Sequence, residues 1–95
     1  MEHSIPILTE RTRQFVMDRD WLQYHTPRNL LLALTGELGE LAELLQFKED
    51  HEDQSTLSVD EKDKIGQEIA DMTIYLLRLA YECGVSLNEE LMYVE

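Results

Sequence analysis

The sequence predicts an all-α protein of four helices, with the second and third forming a long antiparallel pair. Three observations carry this expectation. Apolar residues recur three and four apart, no stretch shows the period-two alternation of a half-buried strand, and capping residues divide the chain into four runs. Thr9 is the expected N-cap of a first helix running to about Tyr24, which would turn Phe15, Val16 and Leu22 inward. His25-Thr-Pro-Arg28 reads as a break and restart: Thr26 caps helix two and Pro27 takes its first position, where a missing N–H costs nothing. Helix two should reach about Lys48. Its Gly36 and Gly39 each weaken the helix, which points to close approach by another helix or a ligand. Lys48 to Leu57 is polar and acidic, the composition of a loop. Ser58-Val-Asp-Glu61 is a capping box that opens helix three, and that helix should end near Cys83 with Gly84 just past its end. Ser86-Leu-Asn-Glu89 is a second capping box, opening a fourth helix expected to run to Glu95.

The roughly ten-residue connection between helices two and three predicts that they pack antiparallel. Their expected core stripes are Leu34, Leu38, Leu41 and Leu45 on one, and Ile65, Ile69, Met72, Leu76 and Leu79 on the other. Leu30, Leu31, Leu32, Ile74 and Leu77 add apolar surface on other faces. Two apolar faces per helix exceed what one short chain can cover, so a homodimer or a homotetramer built as a dimer of dimers is expected.

At 95 residues the chain is one domain, residues 1–95, and a thin one to enclose a cleft unaided. Its 43% hydrophobic and 29% charged composition is that of a soluble globular protein. A net charge of −12 argues against a nucleic-acid polymer as partner, because phosphate backbones are bound by dense Lys and Arg. It does not argue against a single nucleotide, since a bound cation can reverse the local field. The lone Cys83 permits no intrachain disulfide and fits a reducing compartment. The segment Met-Glu-His-Ser-Ile-Pro lacks the basic and apolar regions of a signal peptide, and the longest apolar run, Leu30 to Leu34, is too short to cross a bilayer. A cytoplasmic protein with no membrane partner is expected.

The most informative chemistry lies in two acidic pairs. Glu37 and Glu40 stand three apart in Thr35-Gly-Glu-Leu-Gly-Glu-Leu-Ala-Glu43, and Glu68 and Asp71 stand three apart in Gln67-Glu-Ile-Ala-Asp71. That spacing puts both carboxylates of a pair on one helix face. Such a pair is most often a solvated acidic face. Here no Lys or Arg occurs between Thr35 and Phe47, so the acids lack the usual basic neighbours one turn away. They also fall in line with apolar residues: Ala33, Glu37, Glu40, Leu44 and Phe47 on one stripe, Glu68, Asp71 and Tyr75 on the other, each beside the expected core stripe. If the two helices face each other, four carboxylates converge, which demands a cation or bound protons. All-oxygen clusters suit magnesium, manganese or calcium.

Other chemistry is thin. His3, His25 and His51 form no ligand pattern, and none stands in the Glu-x-x-His spacing of a di-iron bundle. His25, in a helix–helix turn, is expected to make local hydrogen bonds. Cysteine pairs, an EF-hand loop, a glycine-rich phosphate loop and a nucleophile elbow are all missing from the sequence. Trp21, Tyr24, Phe47 and Tyr75 lie near the acidic stripes; flat rings beside a metal cluster are what a nucleobase needs for stacking.

Three runs then carry a family resemblance. Arg19-Asp-Trp21, His25-Thr-Pro-Arg-Asn-Leu-Leu-Leu-Ala-Leu34 and Gly36-Glu-Leu-Gly-Glu-Leu-Ala-Glu-Leu-Leu-Gln-Phe-Lys48, followed by Glu68-Ile-Ala-Asp71 and Tyr75-Leu-Leu, resemble the all-α nucleoside triphosphate pyrophosphatases of the MazG-like superfamily, in particular their dCTP pyrophosphatase branch. The likeness covers about residues 12 to 92. It implies a four-helix MazG-like fold and a magnesium-dependent enzyme, with manganese able to substitute, that hydrolyses a nucleoside triphosphate to its monophosphate and pyrophosphate. It places Glu37, Glu40, Glu68 and Asp71 on the metal, Trp21, Phe47 and Tyr75 around the base, and Lys48 on phosphate. Glu37, Glu40 and Glu43 would be the catalytic acids, Glu43 binding a further metal or orienting water. The dCTP-preferring relatives carry His at the position of Thr12 and Trp at that of Phe47, which leaves the preferred base open. They also continue past helix four into a basic tail, so a chain ending at Glu95 is either a short member or a truncated one. The favoured substrate is dCTP or a modified dCTP, as nucleotide-pool house-cleaning. The alternatives are a broad dNTP pyrophosphatase and, from another class, a non-catalytic helical interaction module.

Overall fold

Residues 4–46 and 57–94 are described by the computed structural model. They form α1 (Ile5–Asp18), a short 3₁₀ turn (Leu22–Tyr24), α2 (Pro27–Leu45), α3 (Val59–Glu82) and α4 (Leu87–Leu91), with no strand among the described residues. None of their helices is long and apolar enough to cross a membrane.

Helix ends follow local chemistry, and both ends of α1 and the end of α4 differ from expectation. α1 begins a turn earlier than Thr9: the Ser4 hydroxyl accepts from the Ile7 N–H at 3.4 Å, and Pro6 occupies the first turn, where no N–H is needed. Thr9 lies inside the helix, its carbonyl accepting from the Thr12 hydroxyl at 2.9 Å. α1 also stops at Asp18 rather than Tyr24. Asp20 takes a left-handed φ of 58°, and the N–H groups of Asp20 and Trp21 bond back to the carbonyls of Met17 and Val16 at 3.1 and 2.9 Å. This is a Schellman closure, with Asp in the conformation that Gly usually supplies. The same closure ends α3 at Gly84 (φ 70°), as expected, with Gly84 and Val85 donating to Tyr81 and Ala80.

Thr26 caps α2 by accepting from the Asn29 N–H at 3.2 Å. Phe47, Lys48, His51 and most of the expected loop lie outside the described residues, as do His3 and Glu95. At α3 the capping box is complete: the Ser58 hydroxyl accepts from the Glu61 N–H at 3.1 Å, and Glu61 Oε1 accepts from the Ser58 N–H at 2.8 Å. Ser86 caps α4 by accepting from the Glu89 N–H at 3.3 Å, yet that helix spans only five residues. Met92, Tyr93 and Val94 beyond it are exposed. An unpacked apolar end cannot sustain further helical turns in water.

α2 and α3 pack along their lengths, α1 crosses α3, and α4 touches α1. The pair is antiparallel: His25, just before α2, meets Arg78 near the end of α3, while Glu37 and Glu68 meet halfway along. Burial corrects the expected core. In the single chain Leu38, Leu45, Ile69 and Leu76 are exposed, at 53, 43, 49 and 45%. The seam instead follows the half-buried positions Leu34, Glu37, Leu41 and Leu44 below buried Leu30, and Ile65, Glu68, Met72, Tyr75 and Leu79 opposite. Glu37 and Glu68 therefore sit within the packing seam rather than beside it, with Glu40 and Asp71 exposed at its edge. Only Val16, Leu30, Leu77 and Arg78 are fully buried among the described residues.

Candidate active site

The seam gathers three acids at one point. One carboxylate oxygen each from Glu37, Glu40 and Glu68 lies within 4.8 Å of the others. The three-residue spacing aims Glu37 and Glu40 from one face of α2, and the antiparallel packing sets Glu68 opposite them. Asp71, one turn along α3, stands outside this trio but lines the adjoining cavity with Glu37. Glu43 lies a turn further along α2, exposed and apart from the cluster.

The electrostatics show the tension of this arrangement. Ionised carboxylates only accept hydrogen bonds, so two can bond to each other only if one keeps its proton. Glu37 does so: hydrogen bonding to Glu68, then burial, then the neighbouring Glu40 raise its pKa from 4.5 to about 7. Glu37 Oε2 and Glu68 Oε2 are buried and receive no hydrogen bond from any described donor. Orphaned, buried carboxylate oxygens and an all-oxygen donor set fit a hard divalent cation.

Beside the acids lies a cavity of about 270 Å³, lined by Phe15, Val16, Trp21, His25, Ile74 and Tyr75 with Glu37 and Asp71. α1 supplies Phe15 and Val16. The Schellman turn brings Trp21 back against Phe15, edge to face, with ring centroids 5.9 Å apart. The Arg19 guanidinium caps the Phe15 ring at 3.5 Å. Tyr75 projects from α3 one turn after Asp71; burial, then the charges of Glu37 and Asp71, push its phenol pKa up. Trp21 and Tyr75 thus line the cavity beside the acids, whereas Phe47 and Lys48 fall outside the described residues.

Phe15, Val16, His25 and Ile74 line the cavity without having been singled out as site residues in the sequence. Phe15, Val16 and Ile74 read there as ordinary apolar positions. His25 reads as a local turn residue, and its backbone N–H does bond locally, to the Leu22 carbonyl at 3.0 Å. Its ring does not: Nδ1 accepts from Arg78 Nε at 3.3 Å, across 53 residues of sequence. The one available signal was an Arg set in the apolar run Ile74-Tyr-Leu-Leu-Arg-Leu-Ala80 near the end of α3, since a charge buried there requires partners.

No protein-family model matches the chain. It is 51% identical over 75 residues to human dCTP pyrophosphatase 1, covering 78% of this chain and 44% of that protein. It is 48% identical over 80 residues to the bovine protein of the same name, covering 83% of this chain and 47% of that protein. The chain thus spans less than half the length of these curated relatives. A crystal structure of a pyrophosphatase from Archaeoglobus fulgidus matches it with a TM-score of 0.75 and 32% sequence identity, over 97% of this chain and 85% of that one.

Proposed function

Because the chain belongs to the all-α nucleoside triphosphate pyrophosphatases, on the dCTP pyrophosphatase branch, we propose that it hydrolyses a deoxynucleoside triphosphate, dCTP or a modified dCTP by preference, to the monophosphate and pyrophosphate. One observation supports this above the others: three converging carboxylates open onto an aromatic cavity within the same chain. A solubilising acidic face would have neither orphaned oxygens nor a cavity beside it.

Glu37, Glu40 and Glu68, with Asp71 at the cavity edge, would hold magnesium, for which manganese can substitute. When bound, the metal would neutralise the triphosphate and acidify the attacking water. The chain's own side chains do the rest. Trp21 and Tyr75 would stack the base, joined by Phe47 if the family pattern holds, and stacking of this kind tolerates several bases. Phe15, Val16 and Ile74 would complete the apolar wall of the cavity around the bound nucleotide. Lys48 would meet the phosphates, and Glu43 would orient water from the neighbouring turn of α2. The exposed stripes of Leu31, Leu38 and Leu45 on α2, and Ile69 and Leu76 on α3, repeat every seven residues and would be covered by a second copy of the chain. The setting for such house-cleaning is the cytoplasmic nucleotide pool.

Pyrophosphate release, measured across the dNTPs and NTPs with magnesium, tests this directly. dCTP or a modified dCTP should give the highest kcat/KM. Absence of pyrophosphate from every nucleotide would overturn the assignment.

A further inference from the structure

Arg78 is the largest fully buried side chain among the described residues, at 0% exposure. Its Nη2 donates to Glu82 Oε2 at 2.7 Å, one turn along α3, which balances the buried charge. Its Nε donates to His25 Nδ1. A guanidinium has five N–H donors and no acceptor. The imidazole nitrogen facing it, Nδ1, must therefore carry a lone pair. An imidazolium, which donates from both nitrogens, cannot make this contact. His25 is consequently held neutral, with its one proton on Nε2. Burial, and then the Arg78 charge, also lower its pKa against the opposing pull of Glu82. Nε2 has no hydrogen-bond partner among the described residues. The ring lies in the cavity wall, its centroid 6.5 Å from that of Tyr75.

The other polar groups lining the cavity are the acids, the Tyr75 phenol and the indole N–H of half-exposed Trp21; the walls are otherwise apolar or aromatic. A stacked base would find ring surfaces there but few N–H donors for its acceptor edge. We propose that Arg78 is a positioning residue: by occupying Nδ1 of His25 it fixes the tautomer protonated on Nε2, so that the cavity offers an N–H donor to an acceptor atom on the edge of a pyrimidine base. This rests on the nucleotide reading of the site. It adds a pair, His25 and Arg78, that selects among bases by hydrogen bonding where stacking alone does not discriminate. A cavity built to hydrogen-bond one edge rejects a base whose edge presents a donor there, because the buried partner is then left unpaired.

The test combines a spectrum with kinetics. In the free wild-type protein near neutral pH, nitrogen-15 imidazole spectra should show His25 protonated on Nε2 and bare on Nδ1; in Arg78→Met this signature should shift toward a mixture of tautomers. His25→Phe should raise KM for dCTP roughly 3- to 10-fold, the worth of one hydrogen bond, with kcat little changed. His25→Gln, whose amide can accept from Arg78 and donate onward, should recover much of that loss. Because the His25 variants leave Arg78 in place, the kinetic arm stands even if Arg78→Met folds poorly. A wild-type spectrum with Nδ1 protonated, or equal KM values for the Phe and Gln variants, would overturn the proposal. Absence of turnover in the wild type would instead sink the pyrophosphatase reading itself, and the base as ligand with it.

Discussion

Glu37 shows how a single residue is shaped by the pairing of two helices. Alone on α2 it would be an ordinary carboxylate; facing Glu68 and Glu40 it retains its proton to about pH 7. Its folded pKa lies above the ordinary value of 4.5, so the native state binds the proton more tightly than the unfolded chain does. The resulting stabilisation of the metal-free protein is fully present below 4.5, declines as pH rises, and is lost above about 7. In EDTA, the Tm of the wild type should therefore fall across this interval, and Glu37→Gln should remove that part of the decline. At about pH 8 the metal-free variant should be at least as stable as the wild type, since one of the repelling charges is gone. Magnesium should raise the wild-type Tm, because a ligand that binds only the folded state stabilises it, and should do so far less in the variant. Parallel Tm profiles for the two proteins, with and without metal, would mean that Glu37 is an ordinary exposed acid.

At the scale of the element, α3 carries half of the site: Glu68, Asp71, Tyr75 and the buried Arg78. Its beginning rests on the reciprocal bonds between Ser58 and Glu61. Removing the Ser58 hydroxyl leaves the Glu61 N–H without its capping acceptor. Ser58→Ala should cost about 1 kcal/mol of folding stability, read as a lower urea midpoint with an unchanged slope. The residue is remote from the cavity, so KM should stay at the wild-type value; a stability loss no larger than that of a surface control would show that the cap contributes nothing. Local signals of this kind were legible in the sequence. Thr26, the Ser58–Glu61 box and Gly84 take the capping roles their chemistry predicts, while Ser86 caps α4 through its hydroxyl alone, without the reciprocal Glu89 bond of the expected box. The end of α1 was not legible, because a left-handed Asp20 looks like any other polar residue until the chain must turn to bring Trp21 onto Phe15.

For the whole molecule, the decisive quantity is apolar surface left uncovered. Leu31, Leu38, Leu45, Ile69 and Leu76 are each exposed by more than two fifths in the single chain, and large contiguous apolar surface on a soluble protein marks an interaction site. Light scattering at micromolar concentration should give at least twice the 11.1 kDa of one chain. Pairing Leu38→Lys with Leu76→Lys should shift the protein toward monomer, since charge on both stripes opposes their burial. A wild type that is monodisperse as a monomer would overturn the assembly.

The sequence by itself determined the helical class, the caps that open α2, α3 and α4, and the two acidic pairs at a spacing that places each on one face. Those properties are local, set by hydrogen bonds and periodicities that span only a few residues. Only the tertiary structure decided that the seam runs through Glu37 and Glu68 rather than beside them, and that Asp71 stands a turn away from the trio. It alone made His25 a partner of Arg78. Such facts depend on the rotation and axial register of one helix against another. These are fixed by the sum of many weak packing contacts, which no short stretch of residues encodes.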